Sequence, residues 1–150
     1  MRGKAEIIQE AVRKNASKPK KRKIGYEKLY PYTIKTIEFL VQCANERKPT
    51  DYASVSKQIG INNIRWANVA FGAIAEVLMA ISPEFPDVPD LTAIVTHSHR
   101  PTSGEGALQG KFPSASASEL KELLRIEREK VFSYPAWNDV LELLALKPSY

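Results

Sequence analysis

One cysteine, two histidines and no apolar run of membrane-spanning length set the first limits on this chain of 150 residues. The lone thiol, Cys43, excludes an intramolecular disulfide and a cysteine-rich zinc site. It falls on the apolar side of a predicted helix, which marks it as a buried structural group rather than a nucleophile. A bilayer span needs roughly 18 to 20 consecutive apolar residues, and the charged N-terminus lacks the apolar core of a secretion signal. These absences predict an intracellular protein without membrane association: cytoplasmic or nucleoid-bound in a bacterium or virus, nuclear in a eukaryote. Acidic clusters with catalytic spacing are also missing. Glu119, Glu122, Glu127 and Glu129 read as the solvated face of a helix, and no enzyme and no cofactor is expected.

Positive charge is present but unevenly spread. Residues 1 to 25 hold nine Lys and Arg against Glu6 and Glu10, a balance of +7 in a chain of net charge +5, so the remainder carries −2. The densest part, Lys18-Pro19-Lys20-Lys21-Arg22-Lys23, attracts phosphates without reading sequence. Ahead of it, Ala5, Ile7, Ile8, Ala11 and Val12 predict a short amphipathic helix able to dock on the body or on a second subunit. After it, Ile34, Ile37, Leu40, Val41 and Ala44 recur at three- and four-residue spacing and predict a helix from Tyr32 to Arg47.

Residues 50 to 72 then read as helix, tight break, helix, the layout that offers the start of a second helix to a DNA groove. Thr50 is the expected cap, Tyr52, Val55 and Ile59 the apolar stripe, and Gly60 the left-handed stop. Asn62 and Asn63 complete the break. Arg65 and Trp66 open a second helix whose expected buried positions are Val69, Ala73, Ala75, Leu78 and Met79. Pro83, Pro86 and Pro89 interrupt the chain. Leu91 to Thr96 has the composition of a buried strand, and with a second strand near Ala107-Leu108 it predicts a small β-hairpin.

The stretch His97-Ser98-His99-Arg100 admits three chemistries. A metal site would use His97 and His99, with Glu105 as the sole local carboxylate and too few ligands. A nucleophilic Ser98 lacks an orienting acid and an oxyanion turn. A polar loop facing nucleic acid or solvent is the remaining reading. In the C-terminal third, Ser116 and Glu119 form a capping-box pattern before a helix with Leu120, Leu123, Leu124 and Val131 on one side. Tyr134-Pro135 breaks it, and Trp137, Val140, Leu141 and Leu144 make a last apolar face.

The order of these motifs over residues 50 to 110 resembles the winged helix-turn-helix domain of the alkylguanine-DNA alkyltransferases and the alkyltransferase-like proteins. Tyr52 stands at the family's tyrosine, Arg65-Trp66-Ala67-Asn68-Val69-Ala70-Phe71 at its recognition-helix motif, and His99-Arg100 at the end of its Pro-Cys-His-Arg motif. Ser98 takes the place of the alkyl-accepting cysteine, and His97 that of the proline. The resemblance implies a DNA binder without alkyl transfer.

Together these readings predict an α+β, mostly α, fold. A basic N-terminal arm with a short helix (1–25) precedes one globular domain (26–150): a winged helix-turn-helix-like core at 50–80, a small β-hairpin wing at 90–110, and C-terminal helices at 116–146. The expected function is non-enzymatic binding of duplex DNA, with Asn62, Asn63 and Arg65 at the bases and Tyr52 and Trp66 on the backbone or packing the reading helix. His97, His99 and Arg100 are expected at the wing's exposed edge, with Ser98, His99 and Arg100 in contact with DNA and Lys20, Lys21, Arg22 and Lys23 on phosphates. The alternative is a protein-interaction or regulatory module, of the phage-host antagonist kind for example, using its terminal helices against a partner or a second copy.

Overall fold

Helices carry almost all of the regular structure. The computed structural model describes residues 4–17, 25–60, 67–96, 114 and 116–146. Within these lie α1 (Lys4–Ser17), α2 (Tyr26–Asn45), β1 (Thr50–Asp51), α3 (Tyr52–Ile59), α4 (Ala67–Ile81), a 3-10 turn (Leu91–Ile94), β2 (Val95–Thr96), α5 (Ala117–Ser133) and α6 (Trp137–Leu143). The fold is mostly α, with one two-stranded parallel ladder pairing Thr50 with Val95 and Asp51 with Thr96.

α2 is the axis of the core. Leu29, Thr33, Thr36, Ile37, Leu40, Val41 and Ala44 follow one another at three- and four-residue steps and are all buried. The two threonines bring hydroxyls into this interior, and each donates to the carbonyl one turn back, to Leu29 and Tyr32, at 2.7 Å. That leaves no unmet donor at either position. The helix starts earlier than its apolar stripe predicts, at Tyr26, with Pro31 inside it. Pro31 is the sixth residue of the helix, past the first turn, so it removes one main-chain donor, the one that would otherwise meet the Glu27 carbonyl. The added turn is held by packing: Leu29 is fully buried, Tyr26 stacks on Tyr30 at 5.6 Å, and the Arg13 guanidinium of α1 lies 4.8 Å over the Tyr26 ring.

α1 docks on the body in the same chain. Ile7, Ile8, Ala11 and Val12 all enter the core, against α4 and α2. The approach to α4 is close: a Cβ placed on Gly72 would lie 3.0 Å from Nδ2 of the buried Asn15. On α4 the core side is Ala70, Ala73, Ile74, Val77 and Ile81. Of the expected stripe Ala73 is buried, whereas Ala75 is exposed, Met79 is 65% exposed and Leu78 is only partly buried; the side chain of Val69 lies outside the described residues. α4 is apolar on nearly every side, so few polar residues mark which face points outward.

The segment expected as strand Leu91 to Thr96 is buried but differently built. The Asp90 carboxylate accepts from the Thr92 amide at 3.1 Å and from the Thr92 hydroxyl at 2.7 Å, which winds Leu91–Ile94 into a 3-10 turn and leaves two extended residues. β2 is accordingly not the first arm of a hairpin among the described residues; it pairs with β1, in parallel. The expected second strand at Ala107-Leu108 lies outside the described residues. The capping box of α5 forms as expected, with the Ser116 hydroxyl accepting from the Glu119 amide at 3.2 Å. Trp137, Val140, Leu141 and Leu144 are buried, and the Trp137 indole donates to the Val131 carbonyl at 2.8 Å.

Candidate nucleic-acid interface

The helix pair around Gly60 is the place where local sequence and tertiary packing meet. α3 is short, eight residues, so its ends matter more than its length. Its cap is Asp51, not Thr50: the carboxylate accepts from the Ser54 amide at 2.7 Å, while Thr50 is taken into β1. A carboxylate at this end also meets the positive end of the helix dipole. At the other end Gly60 adopts φ +82°, and its amide donates to the Ser56 carbonyl. A side chain there would strain the backbone, so glycine is what stops the helix.

Tyr52, Val55 and Ile59 point inward as expected. The Tyr52 ring lies 5.3 Å from the Phe71 ring of α4, so it ties the first helix of the pair to the second. Tyr52 is 9% exposed and packs between the two helices. Burial raises its phenol pKa above the ordinary value, and Asp90 adds to that. Ser56 is buried beside them with a hydroxyl that finds no hydrogen-bond partner. Outward, α3 presents Ala53, Ser54, Lys57 and Gln58.

The parallel ladder adds what no local pattern contains. Because Asp51 pairs with Thr96, β2 ends beside the N-terminus of α3, and the chain leaves the described residues there, one residue before His97. The end of β2 and the start of α3 are thus neighbours in space. Asn62, Asn63, Arg65 and Trp66, together with Ser98, His99 and Arg100, lie outside the described residues. So do Lys20, Lys21, Arg22 and Lys23 of the arm. Within the arm helix, two cations are engaged: Arg13 on Tyr26 and Lys14, whose Nζ is 3.2 Å from Glu76.

Charge is unevenly spread. The described residues hold 12 Lys and Arg against 16 Asp and Glu, a balance of −4. Of the ten Lys and Arg outside them, five are Lys18, Lys20, Lys21, Arg22 and Lys23.

Other chemistry finds little support in the body. The Cys43 thiol is buried and its pKa is pushed up, by burial and then by Glu46, which disfavours the thiolate that displaces carbon. Among the described residues no three His, Cys, Asp or Glu are grouped to hold a metal ion, and no helix is long and apolar enough to cross a membrane. An open cleft of about 530 Å³ lies between Pro86-Asp87-Val88-Pro89 and Glu127, Lys130, Ser133, Tyr134 and Pro135. Its polar groups are committed in part: Glu127 accepts from the Asp90 amide at 2.9 Å, and the Ser133 hydroxyl donates to the Glu129 carbonyl at 2.7 Å.

Three residues outside the expected set matter for this site, namely Asp51, Asp90 and Arg128. The first two carry the helix and turn caps. Arg128 donates from Nε to the Ala93 carbonyl. Asp51 and Asp90 carry local signals, each an aspartate two or three residues before the amide it bonds; Arg128 acts across 35 residues and leaves none. No family model, no curated protein and no solved structure matches the chain.

Proposed function

We propose that the chain is a non-enzymatic binder of duplex DNA whose reading unit is a winged helix-turn-helix-like arrangement of α2, α3 and α4. The carrying observation is the β1–β2 register, which ends β2 at the start of α3 and so joins two motifs far apart in sequence. The charge distribution supports the same reading, since residues 1 to 25, which include Lys20, Lys21, Arg22 and Lys23, carry +7 while the rest of the chain carries −2. In this proposal Asn62, Asn63 and Arg65 meet base edges. Trp66, Ser98, His99 and Arg100 flank them, and Lys20, Lys21, Arg22 and Lys23 neutralise phosphates. Tyr52 acts through packing, by fixing α3 on α4.

The test is a DNA titration at several salt concentrations. Replacing Lys20, Lys21, Arg22 and Lys23 by Ala should flatten the slope of log affinity against log salt by about 0.9 for each phosphate that is no longer neutralised. Arg65→Ala should weaken specific binding by about 1 to 3 kcal/mol with unchanged circular dichroism. Wild-type affinity in Arg65→Ala would remove the reading helix from the proposal. With Ser98 at the position of the cysteine, incubation with alkylated guanine in DNA should leave the intact mass unchanged.

A second reading, a protein partner, is favoured by one observation: Met79 is 65% exposed on α4, with exposed Ala75 one turn before it. The terminal helices offered for this role turn most of their apolar residues into the core, with Ile126 of α5 38% exposed, so the more exposed Met79 on α4 is the better contact for a partner.

A further inference from the structure

We propose that Glu127 and Arg128 of α5 are positioning residues for the DNA-reading unit, gripping both ends of the 3-10 turn so that β2 keeps its parallel register at the start of α3. The inference rests on the DNA-binding reading and carries it into a helix that lies outside the family resemblance.

The geometry begins with the turn. At its near end the amide of Asp90, the capping residue, donates to Glu127 Oε1 at 2.9 Å. At its far end the Ala93 carbonyl accepts from Arg128 Nε. Two adjacent helix residues therefore hold opposite ends of one four-residue turn. Both side chains are partly buried, and burial draws the Arg128 guanidinium pKa below its usual value, as a cation drawn in from solvent requires.

The Arg128 contact also explains where the turn stops. In a continuing 3-10 helix the Ala93 carbonyl would accept from the amide three residues on, that of Thr96. With the guanidinium on that carbonyl, the last bond of the turn is from the Val95 amide to the Thr92 carbonyl, and Val95 goes extended at φ −91°, ψ 126°. Extension at Val95 and Thr96 is what allows them to pair with Thr50 and Asp51. Since Asp51 also caps α3, the grip on the turn fixes β2 relative to the first helix of the reading pair. Leu91, Ala93, Ile94 and Val95 are buried, but apolar contact alone does not choose between a turn and a strand; the Asp90 cap winds the turn, and the two bonds from α5 hold its ends.

The experiment compares wild type, Arg128→Met and Arg128→Lys in the full chain, at a temperature where circular dichroism shows each folded. Amide exchange is followed at Thr50, Asp51, Val95 and Thr96, and DNA affinity across a salt series. Arg128→Met should speed exchange at these four amides about tenfold or more, the scale of removing one charge-assisted hydrogen bond. It should also weaken DNA binding about fivefold or more, the low end of ordinary coupling between sites, at an unchanged salt slope because no phosphate contact is removed. Arg128→Lys keeps a cationic donor and should recover part of both. Unchanged exchange at the four amides would overturn the grip itself. Faster exchange with wild-type DNA affinity would overturn the positioning role and leave a contact that serves stability alone. If wild type fails to bind DNA, the DNA reading falls and this role with it, whereas the exchange measurement still decides whether Arg128 sets the register.

Discussion

Where α1 lies on α4 and where α5 meets the turn Leu91–Ile94, the molecule joins elements in two different ways. The first contact is apolar and close, with Ile8 and Val12 buried and Asn15 against Gly72; its ion pair, Lys14 with Glu76, sits at the edge with the lysine largely exposed. The second also buries Leu91, Ile94 and Leu124, but adds directed bonds from Glu127 and Arg128 to main-chain atoms. Apolar area holds a helix in place without specifying much about the backbone it covers. Hydrogen bonds to particular amides and carbonyls specify a conformation while adding little net stability each. The N-terminal contact should therefore dominate stability and the C-terminal one local structure.

A matched pair of substitutions tests that division. Ile8→Ala, at a side chain 1% exposed, should lower the unfolding free energy by about 2 to 5 kcal/mol. Glu127→Gln retains an acceptor for the Asp90 amide and should cost about 1 kcal/mol. Urea unfolding measures both, and equal losses would erase the distinction. Next in size is Gly72→Ala. Alanine is the better helix residue by about 1 kcal/mol, yet its Cβ would meet Asn15 at 3.0 Å, and a side chain only 2% exposed has little room to give. The expected sign is destabilising by about 1 to 3 kcal/mol. In an Asn15→Ala background the same change should instead stabilise, so the double-mutant cycle separates close approach from propensity.

The same contrast decides what could be read from sequence. α1 was legible because its few apolar residues stand out on a polar helix, and Ile7, Ile8, Ala11 and Val12 are all buried. α4 was legible as a helix but less so in phase, since it is apolar on most sides; among its described side chains Gly72, Ala75 and Met79 are exposed. Leu91 to Thr96 was legible as buried but not as a turn, because Asp90 and the distant pair Glu127 and Arg128 choose its conformation. For the candidate site, Gly60 and the inward face of α3 follow from local chemistry. The meeting of β2 with the start of α3 does not, because parallel pairing between separated segments has no local periodicity. Of the residues expected to touch DNA, Tyr52 alone falls within the described residues, and it serves as packing between α3 and α4.

Tyr52 carries a pH signature of that packing. Its phenol pKa is raised in the folded state, by burial first and Asp90 second, so the folded protein binds this proton more tightly than the unfolded chain. The stability this contributes is fully present below the unfolded value near 10 and is lost as pH rises through the higher folded value. Stability measured from pH 8 upward should fall less steeply in Tyr52→Phe than in wild type. An identical alkaline slope would place the hydroxyl in contact with water.

The smallest expected effects come from two helix ends that share one motif. α2 ends with the Lys48 amide on the Cys43 carbonyl and the Arg47 amide on the Ala44 carbonyl. α6 ends with the Leu146 amide on the Leu141 carbonyl and the Ala145 amide on the Glu142 carbonyl. This is the closing pattern that places a left-handed residue just after the helix, where glycine is usual. Here the residues are Arg47 at φ 55° and Ala145 at φ 59°. A non-glycine residue in this region costs roughly 1 to 2 kcal/mol, and glycine's greater unfolded-state freedom takes back roughly 0.5 to 1. Ala145→Gly should thus stabilise by about 0.5 to 1 kcal/mol, seen as a rise of a few degrees in Tm. Arg47→Gly relieves the same backbone but removes a guanidinium held 2.8 Å from Glu129 and 5.8 Å over the Phe132 ring, exposed contacts worth together about 1 kcal/mol. It should be close to neutral. The gap between the two substitutions measures the tie from α2 to the end of α5; if Arg47→Gly stabilises as much as Ala145→Gly, that tie contributes nothing.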